Sequence, residues 1–310
     1  MVFSIAVKSW NRAVHEYPAG MAHFGLLLKS YRGDLEQARR LVTSYRKFTS
    51  GDIPLTALVP QMDMALFRQF TGSDVQLIAE EELGQHLVDY PVAGLRPGYA
   101  NQEILKLAFH ELGIFEHYFT VDSELEFLRP FSHADFLAPD GIPYSILVED
   151  RELLVDPDYF SSYWTSREQA HRAIWDAVQV PDPVIRTCHG HTTLSTPVLQ
   201  SFVSNFLRER AWKYKDAIEF APYEYTWYNA WLLTSGVLPI HPRDPLVKVF
   251  HTESEFTNSL VRGITNADIA RGYLAMVVNG SFDQGRTVES SPASKLTMIA
   301  PYLSYREVGA

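Results

Sequence analysis

Two carboxylates separated by a single residue follow a short apolar run near the middle of the chain. Asp122 and Glu124 flank Ser123 directly after the strand-like segment HYFTV. Side chains two positions apart in an extended chain point to the same side, so both carboxylates can face one hard cation such as Mg²⁺ or Mn²⁺. Such a cation can neutralise a departing diphosphate. The same triplet is also common in solvated loops, and that interpretation stays open.

Another carboxyl group, Glu224, lies in the aromatic segment PYEYTWY. Burial among aromatic rings raises a carboxyl pKa, which suits a general base, and sugars stack on aromatic faces such as those of Tyr225 and Trp227. We expect Glu224 to act as a catalytic base or to bind an acceptor. The alternative is a buried glutamate satisfied by neighbouring hydroxyls and backbone groups.

Two histidines, His189 and His191, are separated by one glycine in CHGHTT. In a strand they would project to one face, where they could line an acceptor cleft or chelate a metal ion. The pair does not define a zinc site, because no third ligand with a recognised spacing follows it. We therefore expect the two imidazoles to line a cleft.

The elements that position these groups follow an alternating pattern in the first half of the chain. Short apolar runs bounded by turn residues alternate with segments of helical period, which is typical of βα units that build a mainly parallel sheet. Strands are predicted at 22–29, 53–59, 75–79 and 117–122, with helices at 35–48, 64–70 and 101–112. Asp122 then lies at the carboxyl end of a central strand, where open α/β sheets bind ligands.

The second half of the chain has a less regular pattern of elements. The composition of the whole chain also limits the classes of protein that it fits. Helices are predicted near 197–212 and 223–233, a strand near 244–251, and a helical segment with breaks near 255–273. The chain has 310 residues, a formal net charge of −10 and 46% hydrophobic residues, which favours a packed globular protein and disfavours a general nucleic-acid binder. No apolar run reaches the roughly 18 residues of a membrane span. With one cysteine and no visible secretory signal, we expect a cytoplasmic protein, with peripheral attachment to the inner face of the membrane still open.

The segment FTVDSELEFLRPF (119–131) resembles the part of GT-A-type glycosyltransferases in which an Asp-x-Asp motif ends a hydrophobic strand. Here Glu124 stands where the second Asp is usual. The resemblance extends to three further segments, HFGLLLKSYRGDLEQARRLVTSYRKF (23–48), NQEILKL (101–107) and PYEYTWYNAW (222–231). It is strongest with the bacterial DUF6492-like proteins of that superfamily and covers roughly residues 22–235.

This resemblance implies an α/β, GT-A-like fold: a mixed, mainly parallel sheet flanked by helices, with an irregular C-terminal acceptor lobe. Residues 1–310 would form a single domain, with a nucleotide-sugar half at about 22–130 and an acceptor half at about 131–310. The implied function is metal-dependent transfer of a sugar from a nucleotide-diphosphate donor to a glycan or glycolipid acceptor. Bacterial surface-polysaccharide assembly is the expected setting.

The resemblance also implies a role for each candidate residue. Donor binding falls to Lys29, Tyr31, Asp34, Gln102, Lys106, Asp122 and Ser123. Acceptor binding falls to His189, His191, Tyr225 and Trp227, with Glu224 as the catalytic residue. The Mn²⁺ or Mg²⁺ ligands would be Asp122, Glu124 and His251. Asp34 fits the start of a helix equally well, and Lys106 fits an exposed position on an amphipathic helix.

Two other classes of function stay open at this stage. One is a metal-dependent hydrolase or phosphoryl or nucleotidyl transferase that uses the same carboxylates together with the three histidines. The other is a non-catalytic glycan-binding protein that retains the fold. The sequence contains no Walker A loop, GxGxxG fingerprint, GxSxG elbow or HExxH helix, which disfavours the enzyme classes that depend on them.

Overall fold

The computed structural model describes residues 20–147, 157–181 and 190–279. The chain divides into two compact units, and their described parts are unequal in size. The first unit contains residues up to Lys248 together with Ile264–Val277, and the second contains Val249–Gly263 and the residues from Val278 onward. The single domain expected over residues 1–310 stays a prediction.

A five-stranded sheet forms the centre of the first unit, in the order β3-β2-β1-β4-β7. Its strands are β1 (Ala22–Lys29), β2 (Leu55–Val59), β3 (Val75–Ala79), β4 (Phe115–Val121) and β7 (Thr193–Ser195). The first four are parallel, and β7 runs antiparallel to β4. Leu28 pairs with Val121, so β1 and β4 end side by side at one edge of the sheet.

Helices are distributed along the whole described chain. They are α1 (Leu35–Phe48), α2 (Met64–Phe67), α3 (Pro97–Ala108), α4 (Pro157–Val178), α5 (Thr196–Phe202), α6 (Tyr214–Phe220), α7 (Glu224–Ser235), α8 (Glu253–Val261) and α9 (Asn266–Ala270). The expected α/β class is therefore confirmed, and this arrangement of helices around a mainly parallel sheet is consistent with a GT-A-like fold. No helix among the described residues is both long and apolar enough to span a bilayer.

Helix α1 shows why the sequence pattern predicts its element well. Its buried residues Ala38, Leu41, Val42 and Tyr45 follow the i, i+3, i+4, i+7 spacing of one helix face. The Tyr45 hydroxyl donates to the backbone carbonyl of Ile53, so the helix is tied to the start of the next strand. The predicted and observed bounds of α1 agree.

The remaining strands are short. They are β5 (Leu125–Phe127), β6 (Tyr144–Ser145), β8 (His241–Pro242), β9 (Val247–Phe250) and β10 (Ala275–Val278). Strand β5 pairs antiparallel with β10, and β6 pairs parallel with β8. Three residues separate the end of β4 from the start of β5, and this turn carries Asp122, Ser123 and Glu124.

Two helices bring further side chains to the same edge of the sheet. Helix α3 begins after Arg96 with Pro97 at its first position, where the missing N–H of proline costs no hydrogen bond. Helix α7 begins at Glu224 and is buried on almost every side, which is the pattern of a core helix. It ends at Gly236, whose positive φ of 63° suits a left-handed cap.

Candidate functional site

The ammonium group of Lys106 lies between two carboxylates at the carboxyl edge of the central sheet. Its Nζ atom donates to Asp122 Oδ1 and to Glu224 Oε1, each at 3.2 Å. The three residues come from α3, from the turn after β4 and from the first turn of α7. A cation held by two carboxylates is thus the central feature of the site.

Lys106 itself is only 4% exposed. Burial acts to lower its pKa, but Asp122, Tyr225 and Glu224 outweigh burial and hold the pKa well above its ordinary value. The ammonium also lies 5.0 Å from the centroid of the Tyr225 ring. Lys106 is therefore charged, and the expectation of an ordinary exposed lysine is wrong.

Asp122 is the most accessible member of this group, with 36% of its side chain exposed. Burial acts to raise its pKa, whereas Lys106 and then His191 lower it, and the net pKa lies below the ordinary value. His191 Nε2 is 3.8 Å from Asp122 Oδ2, while Lys106 is bonded to Oδ1. The structure thus gives Asp122 an ionised carboxylate with one oxygen on the ammonium and the other facing an imidazole.

A second glutamate, Glu103, lies on α3 three residues before Lys106 and is 4% exposed. Its Oε2 atom has no hydrogen-bond partner among the described residues. Burial and then the charge of Glu224 raise the pKa of Glu103 well above its ordinary value, and burial also raises the pKa of Glu224. Two carboxyl groups therefore contact the ammonium, a third feels its charge from nearby, and the two glutamates hold protons more tightly than glutamates in water.

Glu103 was not among the residues expected from the sequence. The signal that could have found it is its i, i+3 spacing from Lys106, which places both side chains on one face of the helix. The segment looks apolar in the sequence because Ile104, Leu105 and Leu107 are the immediate neighbours of the two charged residues.

Tyr225 and β4 link this cluster to the segment that leads into β7. The Tyr225 hydroxyl donates to Thr120 Oγ1 at 3.0 Å, and Thr120 Oγ1 lies within hydrogen-bond distance of the carbonyls of Gly190 and Thr192. A Cβ atom at Gly190 would lie 3.2 Å from the Tyr225 ring, so the small residue allows a close approach. These contacts fix His191 beside Asp122.

The loop after β1 borders the same site. Ser123 Oγ donates to Ser30 Oγ at 2.9 Å, which joins the ends of β4 and β1. Burial, followed by the charge of Asp122, raises the pKa of Asp34 to about 6. Tyr31 is 44% exposed, so one aromatic side chain of this loop is open to solvent.

Arg96 is a further cation that sequence reasoning did not single out. It is exposed at the residue that precedes α3, and its charge lowers the pKa of both Asp34 and Tyr31. The positive charges near this edge thus include Arg96 at the surface and Lys106 in the interior.

The structure also shows where the remaining predicted residues lie. Lys29 forms an ion pair with Glu80 at 2.8 Å, and only 9% of its side chain is exposed, so its charge is already balanced. Gln102 is half-buried on α3, and Glu124 is half-buried in the turn after β4. His189 lies outside the described residues. His251 lies in the second unit at the end of β9, where its backbone N–H donates to Glu255.

Trp227 was expected to bind an acceptor, but the structure places it in the core. It is fully buried, and its indole N–H points at the carbonyls of Ala217 and Ala221 at 3.1 and 3.0 Å. A helix buried on all sides presents its aromatic rings to other core side chains. Trp227 therefore has no face available to a sugar and does not belong to the site.

Within residues 20–147, 157–181 and 190–279, one group of three side chains from His, Asp and Glu lies close enough together to hold a metal ion. It is formed by His23, Glu116 and His117 near the start of β1 and β4. Among these described residues, no third His, Cys, Asp or Glu side chain lies close enough to both Asp122 and Glu124 to share a metal ion with them. The Asp-x-Glu turn thus presents at most a pair of protein carboxylates within the first unit.

No family model and no curated protein matches this chain. Among solved structures, the chain is similar to the crystal structure of mouse xyloside xylosyltransferase 1 in its apo form, with a TM-score of 0.45 and 12% sequence identity. The match covers 84% of this chain and 98% of the mouse chain. A similarity of this size does not establish a family or a function, so membership of the GT-A superfamily and of the DUF6492-like group stays a prediction.

Proposed function

We propose that this protein is a glycosyltransferase that moves a sugar from a nucleotide-diphosphate donor to a glycan or glycolipid acceptor. The observation that carries the proposal is the buried Lys106 ammonium between Asp122 and Glu224 at the carboxyl edge of a mainly parallel sheet. This is the edge at which open α/β sheets bind ligands. The arrangement supplies a cationic group beside an ionised carboxylate and, next to them, a glutamate with a raised pKa.

The donor would lie across the loop after β1 and the turn after β4. Exposed Tyr31 is available to stack on a base, and Asp34 can accept hydrogen bonds from a ribose or a base. Exposed Arg96 is the cation best placed to approach a diphosphate. Lys29 and Lys106 are weaker candidates for direct contact, because Glu80 pairs with Lys29 and both Asp122 and Glu224 pair with Lys106.

The chemistry of the oxygen donors fits a hard divalent cation. Asp122 is ionised and partly exposed, and Glu124 is half-buried two residues later, so both can offer carboxylate oxygens to Mn²⁺ or Mg²⁺. When bound, the ion would neutralise charge on the departing diphosphate. Lys106 keeps Asp122 ionised for this role, and His251 stays a predicted further ligand.

On the acceptor side, Glu224 would take the proton of the attacking hydroxyl. Its raised pKa makes it a stronger base than a glutamate in water, and Lys106 holds one of its oxygens in place. His191 and Tyr225 would border the acceptor beside it. We place the reaction on the cytoplasmic side of bacterial surface-polysaccharide assembly, as the sequence resemblance implies.

Thermal unfolding with a panel of UDP-, GDP-, CMP- and dTDP-linked nucleotides, each with and without Mn²⁺ or Mg²⁺, tests the proposal. A ligand that binds the folded state raises the melting temperature. We expect a metal-dependent increase for one nucleotide in the wild-type protein and its loss in Asp122→Asn. The control is Glu36→Gln, which removes an exposed carboxylate on α1 that forms an ion pair with Arg39 at 3.2 Å.

Two outcomes of that panel are informative, and a transfer assay follows from a positive result. Retention of the full response in Asp122→Asn would contradict the assignment of the donor site. The absence of a response to any nucleotide in folded wild-type protein would favour the hydrolase or glycan-binding alternatives. Sugar transfer from the responding donor, followed by detection of the free nucleotide, would then separate catalysis from binding.

A further inference from the structure

A second group of chemically competent side chains lies at the opposite edge of the central sheet. His23 follows the first residue of β1, and Glu116 and His117 lie at the second and third positions of β4. The parallel register pairs Phe24 with His117, which sets His23 beside Glu116. The group is therefore fixed by backbone pairing at the amino ends of two neighbouring strands.

The distances within this group are close to those around a bound ion. His23 Nδ1 is 2.7 Å from Glu116 Oε2, and His117 Nε2 is 3.6 Å from Glu116 Oε1. One ligand atom from each residue lies within 4.8 Å of the other two. Ligands at about 2.1 Å from a tetrahedral Zn²⁺ lie roughly 3.4 Å from one another, so small side-chain movements would complete the coordination.

The buried histidine of the group is oriented by a neighbouring hydroxyl. His117 is 1% exposed, and its Nδ1 atom lies 2.9 Å from Oγ of Ser195, its partner in the β4–β7 register. In the tautomer in which Nδ1–H donates to Ser195, the lone pair of Nε2 faces Glu116. Histidine ligands in metal sites are commonly held in this way by a hydrogen bond to their second nitrogen.

The other two ligands are open to solvent to different degrees. The His23 side chain is 50% exposed and the Glu116 side chain 21% exposed, so an ion can reach the group from outside. An ion pair explains the short contact between His23 and Glu116. It does not explain why the buried imidazole of His117 is directed at the same carboxylate.

We propose that His23, Glu116 and His117 form a Zn²⁺ site at the amino edge of the sheet. Two imidazoles and one carboxylate suit Zn²⁺ and similar transition ions better than Mg²⁺, which prefers oxygen ligands. The three protein ligands leave a fourth position for water. A bound ion would cross-link β1 to β4 and stabilise the fold. The site is separate from Asp122 and does not depend on the proposed transferase activity.

Zinc titration of the untagged, full-length protein after chelator treatment tests this site. In competition with a chromophoric chelator, we expect each chain to bind one Zn²⁺ ion tightly. Zn²⁺ should also raise the melting temperature, and Mg²⁺ at the same concentration should not. His23→Gln and Glu116→Gln should each weaken the affinity for Zn²⁺ by about 100-fold. Both residues are partly exposed, so these variants are expected to fold, whereas a change at buried His117 risks the fold.

The matched control is His133→Gln, which removes a surface histidine that has one carboxylate neighbour, Asp52, at 3.2 Å. This variant should bind Zn²⁺ like the wild-type protein. The Asp122→Asn variant should keep its response to Zn²⁺, and His23→Gln should keep any response to nucleotide, so failure here and failure of the proposed function are distinguishable. Equal zinc affinity in the wild-type protein and His23→Gln, or no tight binding to the wild-type protein, would overturn the proposal.

Discussion

At the scale of single residues, Lys106 determines the charge state of the candidate site. It is the buried cation that contacts both Asp122 and Glu224, and Glu103 lies on the same helix face. Removing one partner of a buried ion pair leaves an uncompensated charge in a poorly solvated place. The cost exceeds the loss of the hydrogen bonds alone, because every neighbouring carboxyl group is affected.

We therefore predict that Lys106→Met lowers the free energy of unfolding by about 3 kcal/mol and abolishes nucleotide binding. Urea unfolding at pH 7 and the thermal panel measure the two effects. Lys47→Met is the control, because Lys47 is an exposed lysine on α1, and its substitution should change stability by less than about 0.5 kcal/mol. A Lys106→Met protein as stable as Lys47→Met would show that the ammonium contributes little to the fold.

The aromatic residues near Glu224 illustrate what the sequence could and could not predict at this scale. The PYEYTWY pattern correctly indicated a buried carboxyl group in an aromatic setting. It could not show that Tyr225 contacts Lys106 while Trp227 is enclosed by the core, because the two rings differ only in the side of α7 that they occupy. In a helix buried on all sides, no amphipathic pattern distinguishes one side from another.

At the scale of elements, the close contact between β1 and the start of β4 limits what β1 can contain. A Cβ atom at Gly25 would overlap the ring of Phe115, which is 2% exposed. The glycine is thus required for packing and not for an unusual backbone conformation. This contact lies along the strand pair that carries the site at one edge and the histidine group at the other.

We predict that Gly25→Ala destabilises the protein by about 2 kcal/mol and that Gly25→Ala/Phe115→Leu recovers part of the loss. Thermal or urea unfolding of the single and double variants measures the coupling. Gly98→Ala is the control, because nothing lies within 4 Å of a Cβ atom there and alanine favours helix α3. No recovery in the double variant would mean that the Phe115 ring is not the cause.

The predicted elements were most accurate where apolar residues followed a clear period. Strands β1, β2 and β4 and helix α1 lie close to their predicted positions because their buried faces are nearly continuous. Strand β3 also lies where it was predicted, although only its two end residues are buried. Helix α4 was not predicted, since Tyr159, Phe160 and Trp164 suggest an aromatic-rich segment without a helical stripe. The helix expected over 197–212 is interrupted, because a π-helical turn at Val203–Leu207 follows α5.

At the scale of the whole molecule, stability should depend on pH through the buried carboxyl groups. Glu103 has a folded pKa well above its ordinary value of 4.5, so the folded state binds its proton more tightly than the unfolded state. The stabilising contribution of this proton is complete below pH 4.5 and is lost as the pH rises toward the folded pKa. Asp122 acts in the opposite direction at lower pH, because its folded pKa is depressed.

We predict that Glu103→Gln, which keeps a neutral side chain, becomes progressively more stable than the wild-type protein as the pH rises above 4.5. Urea unfolding of both proteins between pH 4 and pH 8 measures the difference. The exposed acid Glu82 provides the control. The free energy of unfolding of Glu82→Gln should differ from that of the wild-type protein by a nearly constant amount over this pH range. A constant difference for Glu103→Gln would show that Glu103 is ionised in the folded state.

Most of the candidate site could be proposed from sequence, but its central contact could not. Lys106 and Glu224 are 118 residues apart, and only the packing of α3 beside α7 brings them together. The spacing rules used for the sequence act over a few residues, so they found Asp122 and Glu124 but had no means to pair Lys106 with Glu224. His191 was found as a polar residue near a strand, and the chain fold placed it beside Asp122.

The burial of α7 on nearly every side has a consequence for how this protein can change over generations. The helix begins with Glu224 and continues into core residues, so almost any substitution along it alters the core packing and the surroundings of Glu224 together. Under the proposed function, new substrate preferences would therefore arise more readily in the exposed loop at Tyr31 than in α7. A saturation library should show the same asymmetry, with α7 intolerant throughout and the loop permissive for folding but selective for activity.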